Sequence, residues 1–458
     1  VFLKVKRIHF TGIGGIGMSG IAELLHNMNF IVTGSDLAEN DQVINLRKRG
    51  IKISVPHNRE YIKGTDVLVI SSAIPASNIE VAAARELHIP VIPRAEMLAE
   101  LMKMKYGVAI AGAHGKTTTA SMCGYALIEA GLDPTLIIGG VLQNMGSNTK
   151  MGQGAFLVAE ADESDGTFLR LSPTIAVVTC LDQEHLDFYS SFDEIRTSFL
   201  KFINSVPFYG RAIICIDDDE LLSLMPEIRR NVLTYGLRSQ ADITAKNLVQ
   251  KENISSFDVF LRDRFLGHFT INIPGRHMVA NALAAIAVAW ELNVDMQKIS
   301  NAMETFKGVQ RRFELKGEIK DIKVYDDYAH HPTEIKATLS MIRECFSCPV
   351  TVIFQPHRFS RTKALFDDFA RAFFDANKVF ITPVYAANEE PLEGIDSISL
   401  AELIKKYGHR DVRACSSIEE AVMLSVKETG PESIIITLGA GNITKAGAEI
   451  LSKLEEKA

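Results

Sequence analysis

Tyr106-Gly-Val-Ala-Ile-Ala-Gly-Ala-His-Gly-Lys-Thr-Thr-Thr-Ala120 decides the fold of this chain. The apolar run from Val108 to Ala111 reads as a buried strand, Gly112 and Gly115 make a turn, and a helix is expected from about Thr117. Glycines at such a turn let backbone N–H groups point inward around phosphate oxygens, and the helix N-terminus adds positive potential. Lys116 then reaches the β and γ phosphates of a nucleotide, and the Thr117 hydroxyl sits on Mg²⁺. The generic phosphate loop has four residues between its glycines; here only Ala113 and His114 separate them, which narrows the choice of family. A plain glycine turn entering a helix is the competing reading, and the strand–turn–helix context weighs against it.

Beyond this loop, Phe156-Leu-Val-Ala-Glu-Ala-Asp-Glu-Ser-Asp165 delivers Glu160 at a strand end, followed by Asp162, Glu163 and Asp165. Carboxylates so crowded repel one another unless a cation holds them. A solvated acidic loop is the alternative. Thr174 to Leu181 reads as a strand running into Asp182-Gln-Glu-His-Leu-Asp187, which puts His185 where α/β enzymes build their sites. Ser191-Phe-Asp-Glu194 spells a capping box, and Phe192, Ile195, Phe199 and Phe202 fall on one helical face. Strands are expected at Ala212 to Ile216 and Val232 to Tyr235. From Asp242 to Ile273 the alternation becomes hairpin-like, an antiparallel appendage ending at Pro274-Gly-Arg-His277, before a buried helix from Asn281 to Trp290.

The N-terminal part repeats the strand–turn–helix theme. Arg7 to Phe10 leads into Thr11-Gly-Ile-Gly-Gly-Ile-Gly-Met-Ser-Gly20, and a second strand from Phe30 to Thr33 ends at Ser35-Asp36. Gly12, Gly14 and Gly17 satisfy the dinucleotide fingerprint, with Asp36 as the ribose acid. A glycine turn on a helix N-terminus binds any diphosphate, so a UDP-sugar serves as well as NAD. Asp66-Val-Leu-Val-Ile-Ser-Ser72 continues the parallel pattern, with Ser71 and Ser72 at the ligand end of the strand or as simple turn formers. Residues near Met102 to Tyr106 read as a linker, and Phe306-Lys-Gly-Val-Gln-Arg-Arg-Phe313 as a second one. Four strands then follow, at Ile322 to Tyr325, Pro349 to Phe354, Lys378 to Thr382 and Ser433 to Leu438. Polar clusters stand at three of their ends: Asp326 to Glu334, Gln355 to Thr362 and Gly439 to Asn442.

Net charge −7 argues against a nucleic-acid binder, since no basic excess is available to neutralise phosphates. No apolar run reaches the ~18 residues of a membrane span, and the first residues do not spell a signal peptide. A cytoplasmic protein is expected. The six cysteines are scattered; Cys345 and Cys348 have metal or redox spacing but make only half of a zinc site.

Three segments read together give more. Gly112-Ala-His-Gly-Lys-Thr117, Asp326-Asp-Tyr-Ala-His-His-Pro-Thr-Glu-Ile335 and Gln355-Pro-His-Arg-Phe-Ser-Arg-Thr362 resemble the Mur ligases of peptidoglycan synthesis. Further matches are Gly12 to Gly20, Glu160-Ala-Asp-Glu-Ser-Asp165 and Val309-Gln-Arg-Arg-Phe313, so that the resemblance covers essentially the whole chain. It implies three α/β domains. These are an N-terminal Rossmann-like UDP-sugar-binding domain over residues 1–104, a central P-loop ATPase domain with the antiparallel appendage over 105–308, and a C-terminal Rossmann-like ligase domain over 309–458.

The resemblance further implies ATP-dependent joining of L-alanine to the lactyl carboxylate of UDP-N-acetylmuramate through an acyl phosphate, with two Mg²⁺ ions. A monomer or weak homodimer is expected. Gly112, Ala113, His114, Gly115, Lys116, Thr117 and Thr118 would cradle the ATP phosphates; Thr117 and Glu160 would hold one Mg²⁺, and His185 the second. His277 and Asn281 would lie beside the adenine, while Arg312 and Asp327 would touch phosphate and ribose. Gly12, Gly14, Gly15, Gly17, Asp36, Ser71 and Ser72 would hold the sugar nucleotide, and His330, Arg358 and Arg361 would face it and the amino acid. His330, with an ordinary imidazole pKa near 6.5, is the expected base for the ammonium proton. The family commonly has Thr where Ala113 stands, and Asn where Met278 stands.

Three other readings are weighed. A murein tripeptide ligase acts on the same sugar nucleotide and shares most of these motifs. An NAD-dependent dehydrogenase uses the first glycine motif but leaves Lys116 idle. A nucleotide-switch protein explains the phosphate loop without acid–amine chemistry.

Overall fold

Five parallel strands, Arg7–Thr11, Ile31–Ser35, Lys52–Ser54, Val67–Ile70 and Val91–Pro93, make the first sheet in the spatial order third, second, first, fourth, fifth. Helices cover parallel strands on both faces, so the strands must be apolar on both; Ile8, Phe10, Val32, Leu68 and Val69 are accordingly buried. Strand order reverses beside Arg7–Thr11, and that is where Gly12 turns with φ 79°. The computed structural model describes residues 5–71, 73–184, 188–387 and 389–457. Ser72 and His185, both expected in the site, lie outside the described residues.

A carboxylate that the sequence did not single out lies under the strand ends of this sheet. Glu80 is fully buried. Its Oε2 accepts from the Thr11 and Ser35 hydroxyls, both at 2.6 Å, and its Oε1 accepts from the Asn58 N–H at 3.0 Å. His9 and His57 face the same carboxylate at 3.5 and 3.8 Å. Burial pushes the carboxyl pKa up, but hydrogen bonds from His9, Ser35, Thr11 and Asn58 outweigh it and bring it from 4.5 down to about 2. A depressed carboxyl pKa contributes stability that is present above 4.5 and lost as pH falls towards 2. The contribution is about 3 kcal/mol at ~1.4 kcal/mol per unit. Glu80→Gln is therefore expected to flatten the acid limb of the unfolding free energy between those two pH values. An acid limb identical to wild type would refute this role.

The chain groups into two compact units, the first Val1–Asn247 with Phe257–Phe269 and Ala280–Lys307, the second Leu248–Ser256 with Thr270–Val279 and Gly308–Ala458. The first unit also holds the middle sheet. Val232–Gly236, Arg211–Cys215, Ile175–Val178, Tyr106–Ala111, Phe156–Glu160 and Thr135–Leu142 run parallel in that spatial order, and Ser147–Lys150 is antiparallel at the edge. Tyr106–Ala111, Phe156–Glu160 and Ile175–Val178 lie where the sequence predicts strands, whereas Thr135–Leu142 and Ser147–Lys150 are additional to it. The expected appendage is present as Ile243–Lys251, Ile254–Leu261 and Arg264–Ile271, neighbours in the sheet joined by two-residue links. In the helix Phe192–Asn204, Ile195, Phe199 and Phe202 are buried as expected, the two phenylalanines against Phe168. Ser191 caps the Glu194 N–H at 3.3 Å, but the Glu194 carboxylate takes the Ser190 N–H and hydroxyl, each at 2.8 Å, in place of the box expected with Ser191.

The second unit carries a six-stranded sheet in the order Glu314–Ile319, Ile322–Asp327, Ser433–Leu438, Val350–Phe354, Lys378–Ile381, Val412–Ala414, with only the first strand antiparallel. Phe313 stacks on Tyr325 with centroids 4.2 Å apart, closing one side of its core. The first and last of these strands were not expected from sequence. No helix among the described residues is long and apolar enough to cross a membrane.

Candidate active site

Adjacent parallel strands place their C-terminal ends together, so Tyr106–Ala111, Phe156–Glu160 and Ile175–Val178 deliver Gly112, Glu160 and Thr179 to one spot. Gly112 has φ 136° and Gly115 φ 80°, and Gly115 caps the helix Lys116–Glu129. Thr179 closes the loop from below: its hydroxyl donates to the Ala111 carbonyl at 3.3 Å and to the His114 carbonyl. The Ala113 N–H donates to the Cys180 carbonyl at 3.0 Å. His114 Nε2 faces Asp182 Oδ2 at 2.9 Å.

Lys116 Nζ donates to the Gly112 carbonyl at 2.6 Å, the Ala113 carbonyl at 3.2 Å and Glu163 Oε1 at 2.6 Å. Burial acts to lower the lysine pKa, but the charges of Glu163, Asp162 and Glu184 raise it further, so the ammonium stays charged. Burial pushes Glu163 up to about 7 against the pull of Lys116. The Tyr189 hydroxyl, not anticipated from sequence, donates to the Glu163 carbonyl at 2.7 Å and fixes that stretch of backbone. Thr117 Oγ1 donates to Glu160 Oε2 at 3.2 Å, and the Gly139 N–H donates to Glu160 Oε1 at 2.5 Å. A hydroxyl and a carboxylate side by side at a strand end are the oxygen donors that Mg²⁺ takes alongside substrate phosphates, so these residues fit such an ion.

Thr118 is buried in the first turn of this helix. Asn281 supports the loop: its Oδ1 accepts from the Thr119 hydroxyl at 3.2 Å and would lie 2.7 Å from a Cβ on Gly115. His277 lies on the same helix, Arg276–Glu291, but groups with the second unit, and burial brings its pKa down to about 4. In the first sheet the N–H groups of Gly12 and Ile13 donate to the Ser35 carbonyl at 2.8 and 3.1 Å. Asp36 Oδ2 accepts from the Gly14 N–H at 2.8 Å, so the expected ribose acid shapes the glycine loop. A Cβ on Gly12 would lie 3.2 Å from Ser71 Oγ, and Gly15 caps the helix Ile16–Asn27.

In the second unit the polar strand ends converge as expected. Asp327 spends one oxygen on the Phe313 N–H and the other on the Ala329 N–H, both at 2.7 Å, and burial raises its pKa to about 6 against the pull of Arg312. The neighbouring Arg311, passed over in favour of Arg312, clamps the Gly439, Ala440 and Gly441 carbonyls at 2.5, 3.3 and 3.2 Å and sits 3.4 Å from the buried Asp326. Both guanidiniums lie over the Tyr328 ring, at 4.9 and 5.0 Å. Arg361 Nη1 lies 3.2 Å from His357 Nδ1, and Arg358 holds φ 69° at the start of the helix Phe359–Ala364.

His330 departs from the expectation. Its Nδ1 lies 3.0 Å from the Tyr328 carbonyl and 3.3 Å from Glu334. Burial brings its pKa down to about 3, although Glu334 pulls the other way. The imidazole is therefore neutral, with Nδ1–H donating to Tyr328 and Nε2 left as an acceptor. A group so weakly basic makes a poor proton acceptor for an ammonium.

A glycine loop bearing Lys116 on one α/β sheet, a second glycine-rich turn on another and a third sheet with an arginine-lined edge accord with an ATP-dependent ligase. The chain belongs to the Mur ligase family: it matches the Mur ligase family catalytic domain over residues 7–106, the Mur ligase middle domain over 110–289 and the Mur ligase glutamate ligase domain over 311–441. It is 50% identical over 452 residues to UDP-N-acetylmuramate–L-alanine ligase of Geotalea uraniireducens, covering 99% of each chain. The same enzyme of Geobacter sulfurreducens is 50% identical over 455 residues, with 99% and 98% covered. A crystal structure of UDP-N-acetylmuramate-alanine ligase from Thermotoga maritima superposes with a TM-score of 0.84 at 28% identity, over 99% of this chain and 100% of that one.

Proposed function

We propose that this ATP-dependent ligase joins L-alanine to the lactyl carboxylate of UDP-N-acetylmuramate, in the cytoplasm, as a monomer or weak homodimer. Its domain joints fall near residues 104 and 308. The observation that carries this reading is the Lys116 ammonium held against loop carbonyls and Glu163 beside the Thr117–Glu160 oxygen pair.

A carboxylate and an amine do not condense unaided, because the oxygen leaves badly. The lactyl carboxylate takes the γ-phosphoryl group of ATP, giving an acyl phosphate and ADP. The amine of L-alanine then attacks the carbonyl, and phosphate leaves from the tetrahedral intermediate. Lys116 and the Gly112–Gly115 loop supply positioning and charge neutralisation to the phosphoryl transfer, which needs little covalent help. Thr117 and Glu160 would hold Mg²⁺, with a second ion at His185, and the metal would neutralise the spreading phosphate charge. Neutral His330 would offer Nε2 to the incoming amine as a hydrogen-bond acceptor, orienting it while water takes the proton. His330→Ala is expected to raise the KM for L-alanine more than it lowers kcat; kcat falling about 100-fold with KM unchanged would restore a direct proton-transfer role.

Inorganic phosphate release with ATP and UDP-N-acetylmuramate tests the whole reading. Turnover is expected with L-alanine, slower with glycine and serine, and absent with L-alanyl-γ-D-glutamyl-diaminopimelate. Release that responds to the tripeptide alone would make the chain a peptide-recycling ligase.

A further inference from the structure

Arg94 is the first residue of the helix Arg94–Met102, which leaves the edge strand Val91–Pro93 of the first sheet. Three contacts tie this helix to the elements around the phosphate loop. Arg94 Nη2 donates to Asp162 Oδ2 at 3.2 Å, Glu96 pairs with Arg170, and Met102 packs so closely on Gly107 that a Cβ there would lie 2.4 Å from its Cγ. The other side of the guanidinium rests on Gly17. A Cβ at that position would meet Nη1 at 3.1 Å, Cδ at 3.3 Å and Cζ at 3.4 Å. A side chain at position 17 would press on the Arg94 guanidinium, which would have to give by a few tenths of an ångström.

Gly17 stands in the first turn of the helix Ile16–Asn27, immediately after the diphosphate turn. A guanidinium against that turn adds a full charge to the partial charge of the helix end. Asp162 takes one of its five N–H donors and aims the planar fork. The second Asp162 oxygen is occupied by the Ser164 N–H at 3.1 Å, so the aspartate is itself held in place. The Arg94 side chain is 22% exposed, a partly dry setting in which charge-assisted bonds are strong. Asp162 adjoins Glu163, the partner of Lys116, so one short chain of side chains joins the glycine turn to the phosphate loop.

We infer that Arg94 binds an oxyanion of the sugar nucleotide and so fixes the donor relative to the phosphate loop; this rests on the reading of the first sheet as the sugar-nucleotide domain. The oxyanion belongs to the diphosphate or to the lactyl carboxylate. Calorimetric titration of wild type, Arg94→Gln and Arg94→Lys with UDP, UDP-N-acetylglucosamine and UDP-N-acetylmuramate separates the two, and ATP affinity reports the integrity of the fold. Arg94→Gln is expected to weaken UDP-N-acetylmuramate binding by about 10- to 100-fold with ATP affinity retained. Arg94→Lys keeps the charge without the fork and should lose about 3- to 10-fold. Parallel losses for UDP and UDP-N-acetylglucosamine assign the diphosphate; a loss confined to UDP-N-acetylmuramate assigns the carboxylate. Unchanged affinity for UDP-N-acetylmuramate in both variants overturns the inference, and Arg94→Lys alone decides it should Arg94→Gln fail to fold. A wild-type protein that binds ATP but no UDP-sugar overturns the domain reading instead.

Discussion

Lys116→Met is expected to leave a folded protein whose ATP-driven phosphate release falls about 100- to 1,000-fold, the scale of one lost oxyanion donor. Methionine fills much of the lysine's space but carries no charge to meet the γ-phosphoryl group. The concern with such a change is the carboxylate left behind, because Glu163 is nearly inaccessible to solvent. An isolated buried charge would cost several kcal/mol. Burial already lifts Glu163 to about 7 with the ammonium present; without it the carboxyl holds its proton at neutral pH and most of that cost disappears. The variant should therefore melt close to wild type while losing turnover, and Lys116→Met/Glu163→Gln should behave alike. Phosphate release with UDP-N-acetylmuramate and L-alanine, beside a thermal melt, checks both halves. Undiminished turnover in a folded sample would remove Lys116 from the chemistry altogether.

The second large effect is geometric. A Cβ added to Gly112 would lie 2.0 Å from Thr179 Oγ1, 3.0 Å from the Thr179 nitrogen and 3.1 Å from the Cys180 nitrogen. Rotating the threonine relieves only the first clash; the other two are with backbone. The φ of 136° is itself strained for any residue with a side chain. Together these cost about 2–5 kcal/mol, and the chain can avoid them only by moving the loop off its position between the three strand ends. Gly112→Ala should thus lose more than about 100-fold in phosphate release, with part of the loss in the KM for ATP. Thr179→Ser would not rescue it, because the two backbone contacts remain. Wild-type kinetics in Gly112→Ala would mean that the loop is not held as the structure has it.

Much of the fold was legible because glycine turns and two-faced apolar strands are local signals. The run from Val108 to Ala111 and the glycines after it required no tertiary information. Thr135–Leu142 and Ser147–Lys150 escaped because Gly139 and Gly140 interrupt the first and the second is a polar edge strand, Ser-Asn-Thr-Lys, whose pairing comes from its neighbour rather than from its own apolar content. The site divides in the same way. Lys116, Thr117, Glu160 and Asn281 sit in motifs, and the structure gathers them. Glu80, Tyr189 and Arg94 act through residues distant in the chain, and nothing near them in sequence announces it. The burial that lowers the His330 pKa belongs to the folded unit and leaves no sign in the sequence. The motif names Arg312; that its neighbour Arg311 instead holds the Gly439–Gly441 carbonyls and faces Asp326 rests on contacts far apart in the chain.

The strand order of the second unit also constrains how it is made. Ser433–Leu438 comes last of the six in the chain, yet it lies between Ile322–Asp327 and Val350–Phe354. As the polypeptide leaves the ribosome, the strands already emerged must wait as two part-sheets with naked edges, the state in which nascent chains stick to one another. Until Ser433–Leu438 arrives, the edges of Ile322–Asp327 and Val350–Phe354 that it will fill stay open to pairing with other chains.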